Sequence, residues 1–264
     1  MNTSKKTVQQ HSRPTLKLLT QKLGGTALDW LFSPSCVSCK APGYELCPEC
    51  RAKIKLVEGR LCPTCGVPHL NYANCHLCQQ NPPAFTALRS WAIYEGVIQQ
   101  MIHALKYKHR LSIALPLGQY LANFFSTTGW TIDLIVSVPI SPRRQRARGY
   151  SQATAIARVF QRHTAIPFNA NALGRVKHTP SQVGLTIKAR MENVQDVFWA
   201  MPSKVKGKRV LVIDDVCTSS ATMRSCAAAL KQAGADEVYG LTVARAGFYR
   251  ETDELMLVDD LPMA

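Results

Sequence analysis

Three stretches of the chain are apolar without alternation: Ile132-Asp133-Leu134-Ile135-Val136-Ser137-Val138, Arg209 to Asp214, and Glu237 to Ala244. Short runs rich in Val, Ile and Leu suit strands buried on both faces of a parallel sheet. Between and around them the apolar period changes to that of helices, over Val97 to Tyr107, Ser112 to Phe125, Gly149 to Arg162 and Ser220 to Ala233, with Gly234 as a C-cap. A further short strand is expected at Ser90-Trp91-Ala92-Ile93-Tyr94, just past the linker Asn81-Pro82-Pro83. Strand alternating with helix predicts an α/β fold with a parallel sheet flanked by helices and right-handed crossovers.

The first third of the chain carries a different signal. Leu16 to Phe32 has roughly helical spacing interrupted by Gly24-Gly25, and is expected to pack rather than to bind membrane. Then follow Cys36-x2-Cys39-x7-Cys47-x2-Cys50 and Cys62-x2-Cys65-x9-Cys75-x2-Cys78, eight of the ten cysteines. A CxxC pair sets two thiolates on one turn, and two pairs complete a closed tetrahedral zinc site with no open position for water. The spacing leaves open whether each quartet holds its own ion or the pairs interleave. His69 and His76 are expected at the surface, and Cys217 and Cys226 as free thiols.

Composition narrows the setting. With 46% hydrophobic and 19% charged residues the chain is globular, and no apolar run reaches the roughly 18 residues of a membrane span. The polar, basic start lacks a signal-peptide core, so a cytoplasmic protein is expected. Lys and Arg number 32 against 17 Asp and Glu, a net charge of +15 that favours polyanionic partners.

Three polar clusters fall near strand ends, where parallel sheets bind ligands. In Asp214-Asp215-Val216-Cys217-Thr218-Ser219-Ser220-Ala221-Thr222 a buried strand delivers two carboxylates and then a hydroxyl-rich loop that opens a helix. Small residues let backbone amides approach a phosphate, and paired carboxylates suit sugar hydroxyls or Mg2+. Arg143, Arg144, Arg146 and Arg148 place four guanidinium groups within six residues of a loop expected after Val138-Pro139, a set suited to pyrophosphate or a nucleic-acid backbone. Arg175-x-Lys177-His178-Thr179-Pro180-Ser181-Gln182-x-Gly184-Leu185 precedes Arg190 and Asn193. His178 is given no role.

The Asp-Asp segment resembles the phosphoribosyl-pyrophosphate motif of type I phosphoribosyltransferases. The order cysteine module, Ile102-His103-Ala104-Leu105-Lys106-Tyr107, Arg-Gly run, Thr179 loop, Asp-Asp motif is similar to the ComF/GntX-like family from about residue 28 to residue 245. The resemblance implies a type I phosphoribosyltransferase fold with a small N-terminal zinc-binding domain. Residues 1–27 would form a basic tail and short helix, 28–81 a double zinc-ribbon module, 86–248 the phosphoribosyltransferase-like domain and 249–264 an acidic tail. It implies Asp214 and Asp215 on the ribose hydroxyls or near Mg2+, with Thr218, Ser219, Ser220, Ala221 and Thr222 around the 5′-phosphate. Lys177, Thr179, Gln182 and Arg190 would belong to a flexible loop closing over the site, and Asp214, Asp215 and Arg190 are the candidates for catalysis. Ser220 stands where the family usually has Gly, and Tyr150 and Ser151 replace its Phe and Asn. A Cβ at 220 is expected to weaken phosphoribosyl-pyrophosphate binding if the position needs φ > 0.

Two functions follow as expectations. One is a protein of DNA uptake and natural transformation that binds phosphoribosyl pyrophosphate and single-stranded DNA, with DNA-uptake or recombination proteins as further partners. The other is an active Mg2+-dependent phosphoribosyltransferase of unknown acceptor. The amidophosphoribosyltransferase reaction is disfavoured, because residue 2 is Asn rather than a nucleophilic Cys. Tyr44, Tyr72, Tyr107 and Tyr150 are the aromatics nearest basic segments and so the candidates for base stacking.

Overall fold

The computed structural model describes residues 34–68, 73–176 and 197–246. The expected N-terminal helix, His69, Tyr72 and the acidic tail lie outside the described residues. Four strands, β1 (Ala87–Ile93), β2 (Leu134–Ser137), β5 (Arg209–Cys217) and β6 (Glu237–Arg245), form one parallel sheet in the order β1-β6-β5-β2. A two-stranded antiparallel pair, β3 (Leu173–Arg175) and β4 (Phe198–Ala200), stands apart and was not expected from the sequence.

Two short helices, α1 (Pro48–Arg51) and α2 (His76–Gln80), follow cysteines of the N-terminal module. Helices α3 (Gly96–Tyr107), α4 (Ala114–Phe125) and α6 (Gln152–Thr164) fill the expected helical windows. So does α8 (Ala221–Gln232), while the single turn α7 (Pro202–Val205) leads into β5.

Alternate residues of the strands feed two separate apolar cores. Ile135, Leu211, Ile213, Leu241 and Val243 pack with Met101, Ile102, Leu105, Leu121, Ile156 and Phe160 from α3, α4 and α6. Val136, Val210, Val212 and Val238 pack with Met223, Cys226 and Leu230 of α8. The period of two along a strand puts neighbours on opposite faces, which explains why uninterrupted apolar runs were needed.

The cysteine module straddles the β1 edge of this sheet. Cys36, Cys47 and Cys50 join the α3/α4/α6 core, whereas Cys62, Cys65, Cys75 and Cys78 join the α8 core. Between the quartets the chain pairs with β1: Leu56 bridges Ala92, Val57 N–H donates to Trp91 O at 3.1 Å, and Ile93 N–H donates to Lys55 O at 2.9 Å. At the other edge Phe168 bridges Ile135.

One expectation needs correction. The arginine run is no loop but a helix, α5 (Pro142–Arg148). Ser141 is its N-cap, accepting from Arg144 N–H at 3.3 Å, Pro142 occupies the first turn, and Gly149 ends it in the left-handed conformation. Helix α6 therefore starts at Gln152 rather than at Gly149, capped by the Ser151 hydroxyl on Thr154 N–H.

Helices α4 and α6 touch without space for a side chain at Gly118. A Cβ there would sit 2.5 Å from Val159 Cβ and 3.0 Å from Ile156 O. Gly118→Ala is expected to cost about 1–3 kcal/mol by overpacking, despite its better helix propensity. The urea midpoint, followed by circular dichroism, checks this.

Candidate ribose-phosphate site and metal centres

The carboxyl end of β5 carries a cluster of acidic and hydroxyl side chains. Asp214 is half-buried, and one of its oxygens accepts the Asp215 peptide N–H at 2.8 Å. Asp215 is buried and paired with Lys106 of α3, Nζ to Oδ1 3.0 Å, both side chains largely out of solvent. Removal from water, and secondly the adjacent Asp215 carboxylate, push Asp214 up to about 8, against the opposing fields of Lys106 and Arg144.

The hydroxyl loop follows directly. Thr218 and Ser219 are exposed, and Ser220 is buried with φ 61°, a left-handed conformation that L side chains enter at a cost. Ser220 makes no side-chain capping bond to α8, so the first-turn amides are not claimed by a cap. Asp214, Thr218, Ser220, Ala221 and Thr222 line one small pocket of about 30 Å3 together with Thr242. Thr242 is fully buried on β6, the register partner of Asp214, and shares a 2.7 Å hydrogen bond with Ser90. Sequence reasoning missed Thr242 and Lys106 as members of the site. Lys106 sat in a recognised segment, but only the tertiary fold brings it to Asp215.

The four arginines of α5 divide. Arg143, Arg144 and Arg146 are exposed, with Arg144 close enough for its charge to act on Asp214. Arg148 instead donates to Gln152 Oε1 at 2.9 Å and lies over the Tyr107 ring, 5.1 Å from its centroid. Tyr107 and Tyr44 are exposed, while the Tyr150 hydroxyl is committed to the Leu105 carbonyl. Lys177, Thr179, Gln182 and Arg190 lie outside the described residues. A larger cleft of about 570 Å3 beside Arg158, Arg162 and Phe168 shares no residue with the Asp214 pocket.

Each cysteine quartet gathers by itself, without interleaving. In both, the four sulfur atoms lie within 4.8 Å of one another, and all are buried except Cys39. Peptide N–H groups point at the sulfurs, Cys47 at Cys36 Sγ (3.5 Å), Cys50 at Cys47 Sγ (3.4 Å) and Cys75 at Cys62 Sγ (3.4 Å). Four soft donors at this spacing with N–H support fit tetrahedral Zn2+ in a closed structural site. His76 is exposed and outside both quartets. Cys217 and Cys226 are buried and unpaired, and burial pushes both thiols up, which keeps them protonated and inert.

A parallel sheet with an acidic pair and a hydroxyl loop at the end of one strand, preceded by two cysteine quartets, defines a phosphoribosyltransferase-fold protein with an N-terminal zinc ribbon. Residues 113–255 match the phosphoribosyl transferase domain family, and residues 27–81 the double zinc ribbon domain family. The chain belongs to the competence protein F (ComF) family. It is 30% identical over 213 residues to DNA utilization protein YhgH of Escherichia coli, an alignment covering 77% of this chain and 93% of that protein. Competence protein F of Haemophilus influenzae is 29% identical over 227 residues, 81% of this chain and 98% of the relative. Competence protein ComFC of Bacillus subtilis is 24% identical over 219 residues, covering 78% and 86%. No helix among the described residues is long and apolar enough to cross a membrane.

The raised Asp214 has a stability consequence. A carboxyl whose folded value exceeds its unfolded value near 4 contributes most below that value and loses its contribution as pH rises through about 8. Asp214→Asn is therefore expected to raise the melting temperature of the ligand-free protein by several degrees at pH 8 and by little at pH 4. Thermal unfolding at the two pH values checks the sign.

Proposed function

We propose that this chain binds phosphoribosyl pyrophosphate at the end of β5 and handles single-stranded DNA during DNA uptake and natural transformation. The observation that carries the reading is the continuity of Asp214, Asp215 and the residues 218–222 with the uncapped start of α8. A helix start with free amides and small hydroxylated side chains favours a phosphate, and a carboxylate pair beside it favours ribose hydroxyls. Arg144 adds positive charge that is felt at Asp214, which supports an anionic ligand beside the acidic pair.

Mg2+ fits the same place by donor chemistry. Asp214 and Asp215 offer hard oxygens, and they would hold an ion that neutralises pyrophosphate charge. Lys106 meanwhile balances Asp215. Arg143, Arg144 and Arg146 present three exposed guanidinium groups on α5, suited to successive phosphates of a strand. The DNA role is supported by the relatives' names, one reading DNA utilization and two competence. The zinc module serves as structure in this reading. The interactions with DNA-uptake or recombination proteins are part of the same proposal.

Calorimetry with phosphoribosyl pyrophosphate and anisotropy with labelled single-stranded DNA test the reading. Asp215→Ala is expected to weaken phosphoribosyl-pyrophosphate binding at least about tenfold, the effect of losing roughly one charge-assisted contact, and to leave DNA binding nearly unchanged. Replacing Arg143, Arg144 and Arg146 with Ala is expected to weaken DNA binding and flatten its log–log salt slope by about three, roughly one per lost phosphate contact. Ser220→Gly relieves a left-handed side chain and is expected to tighten phosphoribosyl-pyrophosphate binding. A wild type that binds neither ligand sinks the proposal.

A further inference from the structure

The second cysteine quartet is surrounded by arginines from three elements of the sheet domain. Arg89 of β1 donates to Leu88 O at 2.9 Å and Cys62 O at 3.5 Å. Arg224 of α8 donates to Asn81 O at 2.6 Å, with another nitrogen 3.9 Å from Cys78 Sγ. Arg245, the last residue of β6, is only 3% exposed and donates to the Cys65 carbonyl. Its Nε is buried without a hydrogen-bond partner, and among the described residues no carboxylate lies within ion-pair distance of it.

A buried guanidinium requires a counter-charge. Four thiolates around one Zn2+ carry a net charge of about −2, and the second quartet is the anionic group these arginines face. Among the described residues the first quartet has no such ring: Arg110 beside it is paired with Glu45, and Arg51 lies over Tyr120.

Arg224 and Arg245 stand in the chain at the two ends of the hydroxyl loop, so that side chains reaching the quartet are carried on backbone bonded to the loop. The Arg224 peptide N–H donates to the carbonyl of the left-handed Ser220 at 2.9 Å. Arg245 is the register partner of Cys217, and the next peptide, Ala246 N–H, donates to Cys217 O at 2.8 Å. Met223, inside the first turn of α8, belongs to the core that contains all four cysteines of this quartet.

We propose that the zinc-bound second quartet, acting through the positioning residues Arg224 and Arg245, sets the conformation of residues 217–222, so that metal occupancy and phosphate-ligand affinity are coupled. The ligand half of this statement rests on the phosphoribosyl-pyrophosphate reading above. Coupling between two sites is reciprocal: whatever factor zinc contributes to ligand binding, the ligand returns to zinc retention.

The zinc-loaded full chain, as wild type, Arg224→Gln and Arg224→Lys, provides the test. Zinc loss is followed with a chromogenic chelator while amide exchange over residues 73–80 reports the second quartet, and exchange over 217–222 reports the loop. Arg224→Gln is expected to accelerate both zinc loss and loop exchange about tenfold, with Arg224→Lys in between, within the range usual for coupled sites. Saturating phosphoribosyl pyrophosphate is expected to slow zinc loss from wild type by a similar factor. Faster zinc loss with unchanged exchange over 217–222 overturns the coupling, as does bound ligand that leaves zinc loss unchanged. If wild type binds no phosphoribosyl pyrophosphate, the reading of the ligand fails, and loop exchange in the Arg224 variants still decides whether the quartet positions the loop. Should Arg224→Gln not fold, zinc loss from wild type with and without ligand tests the coupling by itself.

Discussion

The parallel pairing of β5 with β6 sets the geometry on which the site depends. It runs in register from Arg209↔Glu237 to Cys217↔Arg245, with apolar side chains filling both faces until the strand reaches Asp214. Because successive side chains alternate, a slip of one residue would exchange the faces of Asp214 and Asp215 and break the Lys106 ion pair. Val210 to Ile213 make such a slip costly, since each is fully buried in a core of its own face. The two carboxylates, one half-buried and one held by an ammonium, are thus a product of strand register as much as of the loop that follows.

The two halves of the cysteine module do different physical work although their sequences look alike. One quartet packs against the face covered by α3, α4 and α6, the other against the face covered by α8. The first keeps Cys39 exposed, and the second is closed on all four sulfurs and ringed by guanidinium groups. A module that grips both faces of one edge strand is part of the sheet's core rather than an appendage joined by a linker.

Much of this was legible in the chain. The cysteine pairs and the Asp-Asp segment are local patterns whose chemistry is written in their spacing, and the strands announced themselves through runs such as Leu134 to Val136. The left-handed Ser220 was legible too, as a departure from a position that favours Gly. The helical character of Arg143 to Arg148 was obscured by its charge, although Ser141 and Pro142 carried a correct start signal and Gly149 a correct stop. Lys106, Thr242 and Arg245 were beyond reach because their partners, Asp215, Ser90 and Cys65, lie far off in sequence and meet only through the fold. The β3–β4 pair escaped for another reason: three-residue strands, one containing Gly174 packed under Trp199, leave almost no periodic trace.

The bridge between Leu56 and Ala92 also closes an edge of the sheet. Open strand edges recruit other strands, and here the outer edge of β1 is capped by residues that lie between the two metal-binding quartets, as the edge of β2 is capped at Phe168. Without residues 55–57 in place, the backbone of Ala87 to Ile93 would be an open edge. The two quartets thus also shield the edge of the sheet, a service separate from anything that happens at the acidic pair.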